Sequence, residues 1–146
     1  MDLDRLKIDQ TIEEGRRYRA YPDPLTHGAP YTCGIGCTLG VTKDTAWDDA
    51  QIDSNYEAAV QTAINGLDRI APWWRGLDTV RANVLIDMSF QLGAPRLSKF
   101  RMLFCACAVG NYDRAAEEML NSTWAHQTPS RAAKLATRMR TGLFES

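Results

Sequence analysis

Between Arg16 and Gly40 the chain carries Pro22, Pro24, Gly28, Pro30, Gly34, Gly36 and Gly40. Proline removes a backbone donor and collides with the preceding helical turn, and glycine pays the largest entropy on being fixed, so no long helix fits there. The flanking sequence is helical in pattern. Leu3 to Glu14 suits a helix, and Gly15 supplies a terminator just past its end. Leu3 and Leu6 project to one side and Ile8 and Ile12 to another, an arrangement expected of a helix that touches protein on two sides. Periodicity does not decide whether Glu13 or Glu14 faces a cleft.

Inside the glycine- and proline-rich region, residues Tyr31 to Leu39 alternate strictly. As a strand they place Tyr31, Cys33, Ile35, Cys37 and Leu39 on one face, and Thr32, Gly34, Gly36 and Thr38 on the other. A face of threonine and glycine has little to bury. It suits the close approach of a ligand or another backbone, or a bulged edge strand with no ligand.

Downstream, Thr42 can cap a helix reaching about Asn65, with Gly66 as its stop and Ile52, Tyr56, Ala59 and Ala63 as a narrow apolar stripe. The segment from about Leu77 to Leu92 is apolar nearly all round, with Val80, Val84 and Met88 opposite Ile86 and Phe90, which marks a buried central helix. Further helices are expected at about Leu97 to Val109, Asp113 to Asn121 and Pro129 to Arg140, the last capped by Thr128 with proline at its first position. The expected fold is α+β in one domain spanning residues 1–146. A small lobe (about 15–45) and a connecting helix (about 43–65) precede a helical lobe (about 66–146) that also recruits the first helix, 1–14. A groove between the lobes is the expected ligand site.

Composition narrows the function classes. With 45% apolar and 24% charged residues and a net charge of −1 over 146 residues, the chain is an ordinary globular one of roughly one domain. No apolar run approaches the ~18 residues of a membrane span. Met1 to Gln10 mixes charge with Leu and Ile, unlike a signal peptide. The near-neutral total hides seven Lys and Arg against twelve Asp and Glu in residues 1–72, and ten against six in 73–146. Nucleic-acid binding usually selects a strongly basic domain, so no nucleic-acid partner is expected. Arg131, Lys134, Arg138 and Arg140 fit either a solvated helix face or a face toward an anionic polymer. Cys33 and Cys37, with Cys105 and Cys107, match no zinc spacing and read as reduced apolar residues, with a strained link or a redox role as the alternative. No metal or other cofactor is expected.

Three residues supply chemistry. At the end of the first helix, Glu14 meets the negative pole of the helix dipole, which disfavours a second negative charge. There a desolvated carboxyl could keep its proton and act as a general acid. Asp23, between two prolines, would stay ionised, and the Thr32 hydroxyl could hold a water. Acid, base and water-holding hydroxyl are the parts that hydrolysis of a glycosidic bond requires. Each also has a plain alternative, as a solvated helix end, a turn former or a strand residue.

The run from Glu14-Gly15 through Tyr21-x-Asp23 to Tyr31-Thr32-x-Gly34-Ile35-Gly36 resembles the active-site segment of phage-type lysozymes, glycoside hydrolase family 24. Phe90-Gln91-Leu92-Gly93, Trp124-x-x-Gln127-Thr128-Pro129-x-Arg131 and Arg140-Thr141-Gly142 continue the likeness in the family's order. The resemblance implies that Glu14 protonates the leaving oxygen, Asp23 assists attack by water and Thr32 positions that water. It selects Glu14 over Glu13, and substrate contacts are expected at Gly34, Gly36 and Thr38 and, on the resemblance, at Phe90 and Gln91, of which Phe90 fits the core better than a platform and Gln91 also has a plain structural alternative. It also implies hydrolysis of the β-1,4 bond between N-acetylmuramic acid and N-acetylglucosamine in peptidoglycan, with inversion, by a monomeric endolysin made in the host cytoplasm and released to the cell wall. A tail-associated peptidoglycan-degrading or peptidoglycan-binding module is the alternative. The chain departs from the family pattern in a longer Leu25 to Pro30 segment, in Cys37 where many members have His, and in a shorter stretch between Thr38 and Thr42. Trp73, Trp74 and Trp124 fit sugar stacking or core burial, and Arg131 a stem-peptide carboxylate or an internal pair.

Overall fold

A computed structural model describes residues 1–145. The elements are α1 (Leu3–Glu14), β1 (Arg17–Tyr21), β2 (Thr32–Gly34), α2 (Asp49–Ile70), α3 (Thr79–Leu92), α4 (Ala94–Leu97), α5 (Arg101–Ala108), α6 (Tyr112–Leu120), α7 (Thr123–Gln127) and α8 (Pro129–Thr141). The fold is α+β, as expected. Two compact units divide within α2: Asp4–Thr62 forms the small one, and residues 1–3 with those from Ala63 onward form the large one. Most of α1 therefore groups with the sheet-bearing residues, where the sequence placed it with the helical ones.

In the small unit, α1 ends where Gly15, at φ +75°, donates its N–H to the Thr11 carbonyl at 2.8 Å. Leu6 is buried, but Ile8 and Ile12 are 58% and 71% exposed, so the two-sided apolar reading of this helix does not hold. Its other buried residues are polar. Asp9 faces Arg5 at 3.2 Å, and Gln10 Oε1 accepts from the Tyr56 hydroxyl of α2. Arg16 bridges Asp49 and Asp53, Tyr18 donates to Asp49, and Lys7 reaches Asp53 at 3.1 Å. Hydrogen bonds from Arg16 and then Lys7 hold the Asp53 carboxyl down at about 2.

The expected nine-residue strand is shorter. β1 and β2 pair antiparallel, Arg17 opposite Gly34 and Tyr21 opposite Thr32, and then the chain doubles back through Ile35 and Gly36 so that Cys33 bridges Cys37. Gly34 and Gly36 have φ of +65° and +66°, which turns the chain out of the extended form although the alternating letters continue. Cys33, Ile35 and Cys37 are still buried, while Leu39 is 94% exposed.

The helix expected from Thr42 starts later, because Thr42 is used in a turn with Thr45 and the following residues line β1. Thr45 Oγ1 accepts the Thr42 N–H, the Ala20 N–H reaches the Thr45 carbonyl and the Trp47 N–H the Tyr18 carbonyl. α2 then opens with a reciprocal capping box, Gln51 N–H to Asp48 Oδ1 at 2.8 Å and Asp48 N–H to Gln51 Oε1 at 2.9 Å. It runs through Gly66 to Ile70, and Pro72 follows. Gly66 is thus no stop. A Cβ there would lie 2.8 Å from the Ala94 Cβ, so the glycine lets α2 and α4 touch.

In the large unit, α3 is capped by Asp78, which accepts the Arg81 N–H, and it is buried from Ala82 to Ser89. Leu85, Ile86, Met88, Leu97, Leu103, Met119 and Met139 fill the core around it. Arg81 lies 3.6 Å from the Tyr112 ring centroid and donates to the Met139 and Arg140 carbonyls, closing the end of α8 where Gly142 leaves room for it. The helix expected over Leu97 to Val109 splits into α4 and α5, since a tight turn from Leu97 to Phe100 lets both Leu97 and Leu103 reach the core. Helix α7, unanticipated, is capped by the Ser122 hydroxyl, which accepts from the Ala125 N–H. Thr128 sits at the expected start of α8, but its hydroxyl donates to the Trp124 carbonyl instead of capping.

Gly66→Ala tests the packing. An exposed helical site would gain roughly 1 kcal/mol from this change. Against Ala94 the overpacking, roughly 1–3 kcal/mol, is expected to cancel or exceed that gain in denaturant titration. A full gain would contradict the contact.

Candidate active site

Glu14 is the last residue of α1, half-buried, whereas Glu13 is exposed. Its carboxyl is held against the backbone of Gly36. A Cβ at Gly36 would sit 2.8 Å from Glu14 Cγ, 2.9 Å from Cδ and 3.0 Å from Oε2, inside any real contact distance. The side chain that ends the helix therefore rests where a Cβ at Gly36 would displace it, at a turn whose φ of +66° independently favours glycine.

Two neighbours define the electrostatics around this carboxyl. Burial raises the Tyr21 phenol, the nearby Glu14 charge raises it further, and polar contact with Thr32 pulls it back. Burial pushes the Cys37 thiol up to about 11, with Cys33 and then Glu14 adding to the shift. Tyr21 and Thr32 face each other across the strand pair, so the register alone brings the Thr32 hydroxyl to the Tyr21 side. Glu14, Gly36, Tyr21 and Thr32 form one connected cluster. The sequence carried Tyr21 as a letter of the family motif without giving it a role; the signal for one was its position as a hairpin partner for β2, two residues before Asp23.

Asp23 follows β1 and is half-buried in a closed turn. Its N–H reaches the Gly28 carbonyl at 2.9 Å, its carbonyl accepts the His27 N–H at 2.8 Å, and Oδ1 accepts the Leu25 N–H at 3.3 Å. The turn orients the carboxylate by its own backbone, as short polar residues do in such loops. Among the described residues, Asp23 Oδ2 makes no hydrogen bond to protein.

The remaining expected contacts fare differently. Gly34 is buried, and the space beside it is filled by the Trp47 indole, 3.1 Å from a would-be Cβ, so it is a packing position and presents no open face. Thr38 is exposed beyond the hairpin. In the large unit Phe90 and Gln91 are half-buried, and Gln91 Oε1 accepts the Trp124 indole N–H at 2.8 Å. Trp74 and Trp124 are core residues, and Trp73 meets Phe104 edge to face at 5.9 Å. Arg131 is buried against Asp87, and buried Arg138 donates to the Phe144 carbonyl, so α8 presents no continuous basic face.

A carboxyl seated on backbone beside a threonine and a tyrosine, with a second carboxylate on the adjoining turn, has the parts of an acid–base hydrolase. A family model described as phage lysozyme matches residues 11–141, and the chain belongs to that family. It is a lysozyme, a glycoside hydrolase acting on peptidoglycan. Among curated proteins it is similar to probable T4-type lysozyme 1 of Dictyostelium discoideum, 36% identical across 98% of this chain and 95% of that protein. Probable T4-type lysozyme 2 of the same organism is 28% identical, across 97% and 95%. The pre-baseplate central spike protein Gp5 of Enterobacteria phage T4 is 29% identical over 61% of this chain and 16% of its own length.

Gly36→Ala would drive a methyl into Glu14. Gly40 has a similar φ of +70° with nothing within 4 Å of a Cβ, so Gly40→Ala carries the backbone strain without the collision. The expected outcome is a loss of lytic rate of about 100-fold for Gly36→Ala and little loss for Gly40→Ala. Equal rates for the two variants would contradict the seat.

Proposed function

We propose that the chain cleaves the β-1,4 bond between N-acetylmuramic acid and N-acetylglucosamine by single displacement. Glu14 is the general acid, Asp23 the base and Thr32 the group that holds the attacking water. The observation that carries this reading is the packing of the Glu14 carboxyl on Gly36. In that position the carboxyl is covered on one side by backbone and carried by the end of a helix, which fixes the direction from which it meets a substrate.

The steps follow from these positions. As the glycosidic bond lengthens, Glu14 passes its proton to the departing oxygen, offsetting negative charge there. Asp23, oriented by the Leu25 N–H, takes a proton from water, and the Thr32 hydroxyl restricts where that water stands. Tyr21 limits the freedom of the Thr32 side chain. Gly36 and Thr38 are assigned substrate contacts near this cluster, and Phe90 and Gln91 further contacts on the resemblance alone. Inversion requires room for water between base and sugar, a separation of about 6.5–9.5 Å between the carboxyl groups.

In its biological setting the enzyme is a monomeric endolysin, made in the host cytoplasm, that degrades the wall for host lysis and needs no nucleic-acid partner. Among the described residues no helix is long and apolar enough to cross a membrane. The partial likeness to a phage spike protein favours a second setting, a tail-borne enzyme that opens the wall at entry. Enzyme found in purified virions would select the second.

Digestion of purified peptidoglycan tests the chemistry. Reducing-end muropeptides released first as the α-anomer are expected. 1,6-Anhydro products, or the β-anomer first, would overturn the hydrolytic or the inverting mechanism respectively. Thr32→Ala is expected to lose activity by about 100-fold, the lower end of the range for one positioned group, at an unchanged melting temperature.

A further inference from the structure

Cys33 and Cys37 stand opposite one another in the hairpin that seats Glu14, and they exchange both backbone hydrogen bonds, at 2.9 and 3.1 Å. A pair bonded in this way has Cα atoms about 5.5 Å apart, inside the range that a disulfide spans, about 4.4–6.8 Å, and the wider Cβ spacing of a hydrogen-bonded pair requires the two strands to draw slightly together as the bond closes. Opposed residues of an antiparallel pair share a face, and both side chains here point into protein, with 0% and 6% of each residue exposed. Their sulfurs are free thiols, Cys33 Sγ directed to the Arg17 carbonyl and Cys37 Sγ to the Ile35 carbonyl. The other two cysteines differ. Cys105 and Cys107, two apart on α5, project in divergent directions, and only Cys107 is buried.

We propose that Cys33 and Cys37 form an oxidisable dithiol, a modification site for a disulfide-class oxidant, and that the resulting bond staples the turn under Glu14. The Cys37 thiolate attacks the oxidant RS–SR, forming a mixed disulfide and expelling one thiolate. The Cys33 thiolate then attacks the Cys37 sulfur, closing the intramolecular bond and expelling the second. The protein loses two protons to solvent and two electrons to the oxidant, which leaves as two thiols. Gly34, Ile35 and Gly36 become a closed loop, and the Gly36 backbone is fixed where the Glu14 carboxyl rests. Burial raises both thiols above their ordinary range, so the reduced pair is stable in mild conditions and its oxidation is slow.

The site is tested on the full chain, reduced and then equilibrated with excess glutathione disulfide. Residues 20–43 carry both cysteines and no Lys or Arg before Lys43, so trypsin releases them in one peptide. That peptide is expected to be two hydrogens lighter and closed to alkylation until reduced. The protein's melting temperature is expected to rise by about 4–8 °C, the size for so short a loop in a chain of this length, and to return with dithiothreitol. Full-mass peptide with two alkylatable thiols, while exposed Cys105 has taken up glutathione, would overturn the proposal. Glutathione held on Cys37 with no ring closure, or closure with no rise in melting temperature, would overturn it also. These readouts do not involve catalysis, so they stand apart from the fate of the muramidase assignment.

Discussion

A carboxyl lies on a glycine backbone, and that contact requires a helix end and a hairpin turn of the small unit to fall at fixed residues. The Glu14 side chain reaches Gly36 because α1 stops at Gly15 and because the hairpin doubles back one residue after Ile35. Either event displaced by one residue would rotate the carboxyl away or put a Cβ in its place. The three glycines act together: Gly15 ends the helix, Gly34 admits the Trp47 ring, and Gly36 leaves the space that the acid fills. A helix end holds a carboxyl more reproducibly than a free loop does, and Glu14 is carried in that way.

The large unit reaches order by a different route. Its centre is α3, buried all round, and its polar groups are paired locally: Asp87 with Arg131, Ser89 with the Ala63 carbonyl, Gln91 with the Trp124 indole. The buried Asp87–Arg131 pair joins α3 to α8, and losing either partner would leave a costly buried charge. Arg81 serves a comparable purpose at the end of α8 by covering carbonyls that the helix leaves open.

Much of this was legible in the letters, and the failures have physical causes. α1 and the buried character of α3 could be read because helix stops and all-round apolarity are local properties. Gly66 was misread as a stop because sequence does not show Ala94 arriving across from it. The alternation of Tyr31 to Leu39 suggested one long strand, yet alternation survives a tight turn when glycines at positive φ make it. Ile8 and Ile12 looked like a second buried face, while the residues buried there are Asp9 and Gln10, whose partners come from elsewhere on α1 and from α2. In the candidate site, the family resemblance pointed to Glu14 and Thr32, and the structure brings both to the side of Tyr21. Tyr21 entered only as a letter of the motif, since its place beside Thr32 comes from strand register, and the Trp47 ring beside Gly34 had no local signal.

The central claim is that one carboxyl, Glu14, supplies the proton that the leaving sugar requires. Its most direct measurement is single-turnover cleavage of purified peptidoglycan by the parent and by Glu14→Gln, with melting curves of both. An amide of the same shape keeps the contact with Gly36 but has no acidic proton. The expected result is a loss of roughly 100- to 10,000-fold, the range for a general acid, at an unchanged melting temperature. Cleavage by Glu14→Gln within a few-fold of the parent would contradict the account.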